Sequence, residues 1–254
     1  MASASVIFTR EALRWRLVMV LVVLAFVSLV FLLFPKLDLA FSGLFYESST
    51  GFFQRHIRAV ETVRAAGRLA TWGFVTAVVA MLPIKIVFPK SRLLMAPRKI
   101  VFLLAAFALG PGLIVNVILK DFWGRARPRE ILEFGGDATF SPAWWISGEC
   151  HLNCSFVSGE AASAFCLVAL AFVVSEKWKS VVAIAIIAFA AAVSFARIAV
   201  GAHFLSDVLI AWLVVLLVLI GLQRVILNGL PPAFDDRVEA SARRAGERLR
   251  HLFA

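Results

Sequence analysis

Apolar residues collect into six near-continuous runs along the chain: Leu17 to Phe34, Leu69 to Pro89, Ile100 to Leu119, Ala161 to Ser175, Ser180 to Ala196 and Val208 to Gln223. Only the second carries a charge, Lys85, near its end. With their flanks, runs of this length cross a hydrocarbon layer about 30 Å thick as helices. None shows the alternation in two that a membrane strand requires. The pattern predicts an all-α fold, a six-transmembrane-helix bundle spanning residues 1–230, with the polar stretches at one end carrying the chemistry. The first run is longer than the core of a secretory signal and no small-x-small cleavage site follows, so it reads as a retained helix. Pro111, between Gly110 and Gly112, predicts a kink in the third span. Residues 231–254 alternate charge with Val238, Leu249, Leu252 and Phe253, which predicts an amphipathic tail helix at the membrane surface.

Composition sharpens this picture. Of 254 residues, 61% are hydrophobic and 17% charged, which excludes an ordinary soluble domain, a disordered chain and a disulfide-dense scaffold. The net charge is +10. No basic stripe interleaved with aromatics accompanies it, so nucleic acid is not the expected partner; the bilayer is. Six spans put both termini on one side. That side holds 16 of the 26 basic residues, among them Arg14, Lys90, Arg92, Lys177 and the arginines of the tail. The positive-inside rule makes it cytoplasmic and turns the long loops 36–67 and 120–157 outward.

Three polar stretches lie at span ends on the outward side. Lys120 to Pro128 follows the third span, Ser155 to Glu160 opens the fourth, and Arg197 to Asp207 joins the fifth and sixth. Lys120, Arg127 and Arg197 bring three cations to one face of the membrane. Ser158 and Gly159 begin a helix, whose free N–H groups and positive dipole end favour an anion. Arginine offers a planar fork to phosphate oxygens and lysine a point charge. His203 and Asp207, four apart, share a helical face. The carboxylate is expected to accept the Nδ1 proton and leave Nε2 bare for attack. Together these residues point to phosphoryl transfer through a phosphohistidine.

The set resembles the type 2 phosphatidic acid phosphatase superfamily. Its pattern is Lys-x6-Arg-Pro, Pro-Ser-Gly-His and Ser-Arg-x5-His-x3-Asp, at the ends of six membrane helices. The first motif is intact here from Lys120 to Pro128. The third is intact at Arg197, His203 and Asp207, with Ala196 in place of serine. The resemblance implies that Lys120, Arg127, Ser158, Gly159 and Arg197 hold the phosphate. It makes His203 the nucleophile, oriented by Asp207, in a reaction with no metal or other cofactor. The implied substrate is a membrane lipid phosphate: lipid A phosphate is favoured, on the breadth of the basic and aromatic outward loops. Undecaprenyl pyrophosphate or phosphatidylglycerophosphate is the alternative. A lipid phosphotransferase using the same site is the nearest different class; a transporter or structural protein would leave the aligned polar residues unexplained. No obligatory protein partner is evident.

The second motif departs from the family. It reads Val157-Ser158-Gly159-Glu160, so Glu160 stands where the family's histidine protonates the leaving oxygen. Glu160 is then the general acid, or a structural or substrate-binding partner with another group or water as the acid, or the mark of a weak or inactive relative; His151, seven residues before Ser158, is a further candidate acid. Cys166 lies within the fourth span and reads as a buried small residue. Cys150 and Cys154 lie on the outward side, where an oxidising compartment permits a disulfide; a metal site or two free thiols are the other readings. Trp144 and Trp145 read as an interfacial anchor, an entrance lining or packing beneath the loop. The stretch from Asp38 to Arg68, with five aromatics before Arg55, Arg58 and Arg64, predicts an interfacial amphipathic helix.

Overall fold

A computed structural model describes residues 2–88 and 94–252. Pro89 at the end of the second predicted span, Lys90, Arg92 and Phe253 lie outside the described residues. Within them the chain is helical, with two isolated bridges, Glu47 with Gly51 and Ile131 with Ala138, in place of any sheet. The helices are α1 (Ala2–Leu33), α2 (Lys36–Gly43), α3 (Arg58–Val87), α4 (Pro97–Phe122), α5 (Gly159–Phe172), α6 (Glu176–Ala199), α7 (Leu205–Leu227) and α8 (Phe234–Leu252). Four contain segments long and apolar enough to cross a membrane: Glu11–Leu33 of α1, and α4, α6 and α7.

The other two predicted spans take different forms. α5 is only 14 residues long, and most of its first turns are buried. Its small residues, Ala161, Ala162 and Ala164, let the neighbouring helices approach on every side. α3 begins at Arg58, well before the apolar run at Leu69. This corrects the expected amphipathic helix over Asp38 to Arg68. That stretch is instead the short α2, a turn, a 3₁₀ turn at Phe53–His56 and the first turns of α3. Helix hydrogen bonding continues through Arg64 and Arg68 because both find carboxylates there, Glu61 among them.

Local sequence explains the helix ends. Pro97 occupies the first turn of α4, where its missing N–H costs nothing. Ser158 caps α5 by accepting the Ala161 N–H at 3.4 Å. Pro111 cannot donate, and α4 widens to a π-helix over Ala108–Leu119, where the Asn116 amide donates to the Pro111 carbonyl at 2.7 Å. At the position of the expected kink, the helix is thus widened. Phe102, Leu103, Ala106 and Val115 of α4 pack with Val193 of α6 and Ile210 of α7 in the core. Burying one such large side chain stabilises by about 1.5–3 kcal/mol. Phe26, Trp72, Ile184 and Val225 remain exposed around the outside, as a lipid-facing surface requires.

α4 and α6 end where α3, α5 and α7 begin, and this end holds all three polar motifs. At the opposite end α8 docks against α3 and α4. Arg98 donates to Asp235 at 2.6 Å and to the Pro231 carbonyl at 3.1 Å, and Arg250 donates to the Val87 carbonyl at 2.8 Å. The tail is thus a helix, held by α4.

Candidate active site

Backbone hydrogen bonds tie the three motifs together. The Ser155 N–H donates to the Arg125 carbonyl at 2.8 Å, Ser158 to the Asp207 carbonyl at 3.2 Å and Arg129 to the Gly201 carbonyl at 3.1 Å. Gly201 makes the turn from α6 to His203 with φ +65°, and a Cβ there would strike the Phe52 ring. Gly159 is needed for a different reason. A side chain there would collide with Asn116 and press on the Lys120 Nζ, so the bare backbone lets motif one lie against motif two.

His203 is buried, 1% exposed. Its Nδ1 lies 2.7 Å from the Ser155 carbonyl, which accepts the proton. The Asp207 carboxylate is 3.9 Å from Nδ1, beyond hydrogen-bond length. This corrects the expected His203–Asp207 hydrogen bond. Asp207 is already engaged: it accepts from Arg125 at 2.6 Å, from the Ser155 hydroxyl at 2.6 Å and from the Phe204 N–H at 2.9 Å. The outcome for the imidazole is as anticipated. With its proton on Nδ1, Nε2 carries a lone pair, and it is buried without a partner. Burial holds the His203 pKa down at about 3, and the charges of Arg197 and Lys120 act in the same direction while Asp207 opposes them. The ring is therefore neutral at physiological pH.

Arg125 was not singled out by sequence reasoning, although it lies two residues before Arg127. It is fully buried and bridges two carboxylates, Asp207 at 2.6 Å and Asp38 of α2 at 2.8 Å. Its guanidinium lies 4.2 Å from the Phe204 ring centre. Ser206 joins the network, its N–H donating to Asp38 at 2.9 Å and its hydroxyl receiving from Arg125 at 2.9 Å. Burial pushes the Asp38 carboxyl above its usual range, against the pull of Arg125. The sequence signal for Asp38 was slight: one carboxylate among apolar residues just past the first span.

Of the other site residues, Arg197 and Lys120 lie near enough to act on the imidazole. Arg197 is 5% exposed with its Nε unpartnered. Arg127 donates to the Asn153 carbonyl at 2.6 Å. Glu160 Oε1 lies 3.5 Å from Arg197, 3.8 Å from Arg64 and 4.0 Å from Arg68, while Oε2 is buried without a partner. Cys150 and Cys154 form a disulfide just before Ser155. His151, the alternative acid, is exposed in that loop. Cys166 is buried and free. Trp144 turns inward, donating to Ser28 of α1 at 2.8 Å and packing on Phe156 and Trp123, whereas Trp145 faces outward.

A cavity of about 560 Å³ reaches Lys120, Gly159 and Glu160; His203, Arg127 and Arg197 are not among its lining residues. Lys120, Glu160 and Arg68 lie at its polar end, and it continues between α3 and α4 past Trp72, Val75, Leu104 and Phe107. One end suits an anion and the rest an alkyl chain.

A helical bundle with membrane-length apolar helices thus presents an imidazole with a bare nitrogen near lysine and arginine, a set suited to phosphoryl transfer. Residues 99–229, which contain all three motifs, match the PAP2 superfamily, and the chain belongs to that family. It is 35% identical over 198 residues to the Lipid A 4'-phosphatase of Francisella tularensis subsp. novicida (strain U112), covering 77% of this chain and 88% of the relative. It is 34% identical over 199 residues to the Lipid A 4'-phosphatase of Rhizobium leguminosarum, covering 72% and 84%. A protein of the same name from Rhizobium etli is 44% identical over 116 residues, 46% of this chain and 45% of the relative. No solved structure matches the chain.

Proposed function

We propose that the chain is a lipid A phosphatase of the bacterial inner membrane, crossing it six times through α1, α3, α4, α5, α6 and α7. Both termini are cytoplasmic and the site faces the periplasm; the excess of basic residues at the opposite end supports this orientation. The observation that carries the reading is the neutral, unpartnered His203 Nε2 beside Lys120 and Arg197. The lipid headgroup enters the polar end of the cavity while an acyl chain lies between α3 and α4.

The Nε2 lone pair forms a bond to phosphorus as the bond from phosphorus to the lipid oxygen breaks. Lys120, Arg127, Arg197, the Ser158 hydroxyl and the Gly159 N–H hold the phosphoryl oxygens and spread the transition-state charge. Glu160 delivers a proton from Oε2 to the departing lipid oxygen, and Oε1 stays with its arginines. Water then attacks phosphorus, returns a proton to Glu160 and releases inorganic phosphate, restoring His203. Asp207 holds the loop that presents the imidazole.

The test is phosphate release by purified protein in detergent with EDTA, from lipid A, undecaprenyl pyrophosphate, phosphatidylglycerophosphate and phosphatidic acid. Lipid A is expected to be the preferred substrate, with release abolished in His203→Ala and strongly reduced, with binding retained, in Glu160→Gln. Preference for another lipid would refute the substrate. Full activity of Glu160→Gln would leave Glu160 as an arginine-ordering partner, the alternative that its three guanidinium neighbours favour.

A further inference from the structure

Arg64 and Arg68 belong to none of the three motifs, yet α3 brings both to the site. They lie four apart, on one helical face. Both reach Glu160 Oε1, the oxygen that Arg197 of α6 also reaches. All three separations are 3.5 Å or more, so a single carboxylate oxygen is shared loosely among three guanidinium groups. The Arg64 Nε is buried with no acceptor. Arg68 lines the same cavity as Lys120 and Glu160.

The surrounding charge points the same way. Arg129 is held below its usual value by burial first, then by Arg127, with Arg55 and Arg64 also contributing, so these cations converge. With Lys120, Arg68 and Arg197 they make seven positive groups. Facing them are Glu61, Glu130 and Glu160, with Asp121 beside Lys120. With all four carboxylates ionised, three positive charges remain, one more than a single phosphate dianion neutralises; with the proton that Glu160 carries as general acid the excess is two.

We propose that Arg64 and Arg68 bind a second anionic group of the same lipid headgroup, on the far side of Glu160 from the reacting phosphate. Glu160 separates the two anions, so the headgroup carries them spaced apart on its sugar rather than linked as a pyrophosphate. This inference rests on the lipid A reading and narrows it to a headgroup with two phosphates. Each charge-assisted contact contributes roughly tenfold or more in affinity.

The experiment compares kcat/KM of the purified full chain, in neutral detergent micelles, on lipid A phosphorylated at both ends and on lipid A with only the 4'-phosphate. A third arm adds an anionic bystander lipid, phosphatidylglycerol, to the singly phosphorylated substrate. The expected preference for the doubly phosphorylated lipid is about tenfold or more, chiefly in KM. It should fall toward one in Arg68→Gln, whose side chain is 44% exposed and outside the core, and in Arg64→Gln. Equal rates on both lipids would overturn the inference. So would a preference unchanged in both variants, which would leave the two arginines as holders of Glu160. Recovery of the preference with phosphatidylglycerol alone would also overturn it, since the patch would then read neighbouring lipids. Release from neither form, with release from a different lipid phosphate, would overturn the lipid A reading and this inference with it.

Discussion

His203 shows how burial can prepare a nucleophile. In water an imidazole is half protonated near pH 6.5. Here the dry surroundings and nearby cations hold it neutral down to about pH 3, and the Ser155 carbonyl selects the tautomer. The same shift makes the fold sensitive to acid. Between about pH 6.5 and pH 3 the unfolded chain takes up a proton at this position and the folded chain does not, so stability falls as pH falls through that window. The thermal unfolding midpoint in detergent is expected to drop between pH 7 and pH 4, and less in His203→Gln than in the wild type. An equal drop in both would remove His203 as the cause. Sequence spacing put His203 and Asp207 on one helical face and joined them by a hydrogen bond; His203 instead lies in the turn before α7, 3.9 Å from the carboxylate. Spacing does not report that a turn intervenes, nor that Arg125, Ser155 and Phe204 occupy the carboxylate first.

At the scale of elements, the buried network of Asp38, Arg125, Ser206 and Asp207 fastens α2 to the start of α7. It joins a segment just past the first span to the helix that follows His203. All four residues are 0% exposed, and Arg125 stands between two carboxylates, so removing it leaves Asp38 and Asp207 buried without their cation. Arg125→Ala is expected to destabilise the protein by about 3–5 kcal/mol and to lower its thermal midpoint clearly, measured on purified protein. A midpoint within a degree or two of wild type would show that α2 is not held this way. The helices themselves were legible from apolar runs, because a segment that crosses lipid must satisfy its backbone internally and cover itself with apolar side chains. The start of α3 was not, because Arg64 and Arg68 interrupt the apolar pattern while their charges are met by Glu61 and Glu160. α5 was read as a span like the others. Its shortness follows from its place inside the bundle, where neighbouring helices take the place of lipid.

Across the whole molecule, chemistry and docking occupy opposite ends. The motifs gather where α4 and α6 finish, and α8 closes the other end through Arg98 and Asp235. A membrane-impermeant maleimide added to intact spheroplasts is expected to label Ser48→Cys, exposed in the loop after α2, and not Ala245→Cys, exposed on α8. The reverse pattern would invert the proposed orientation. Native cysteines leave the background low, since Cys150 and Cys154 are paired and Cys166 is buried.

The sequence by itself determined the helical membrane class and the three polar motifs, and it carried the family. Each of these is written locally: apolar runs are contiguous, and Lys120 to Pro128, Ser158 to Glu160 and Arg197 to Asp207 are short strings with set spacing. Tertiary structure alone decided which partner each charge takes. Arg125 meets Asp38 across 87 residues, and Arg64 meets Glu160 from a helix outside the motifs. Such pairs form because a charge withdrawn from water must find its opposite wherever the packed helices bring one within reach, and distance along the chain has no part in that requirement.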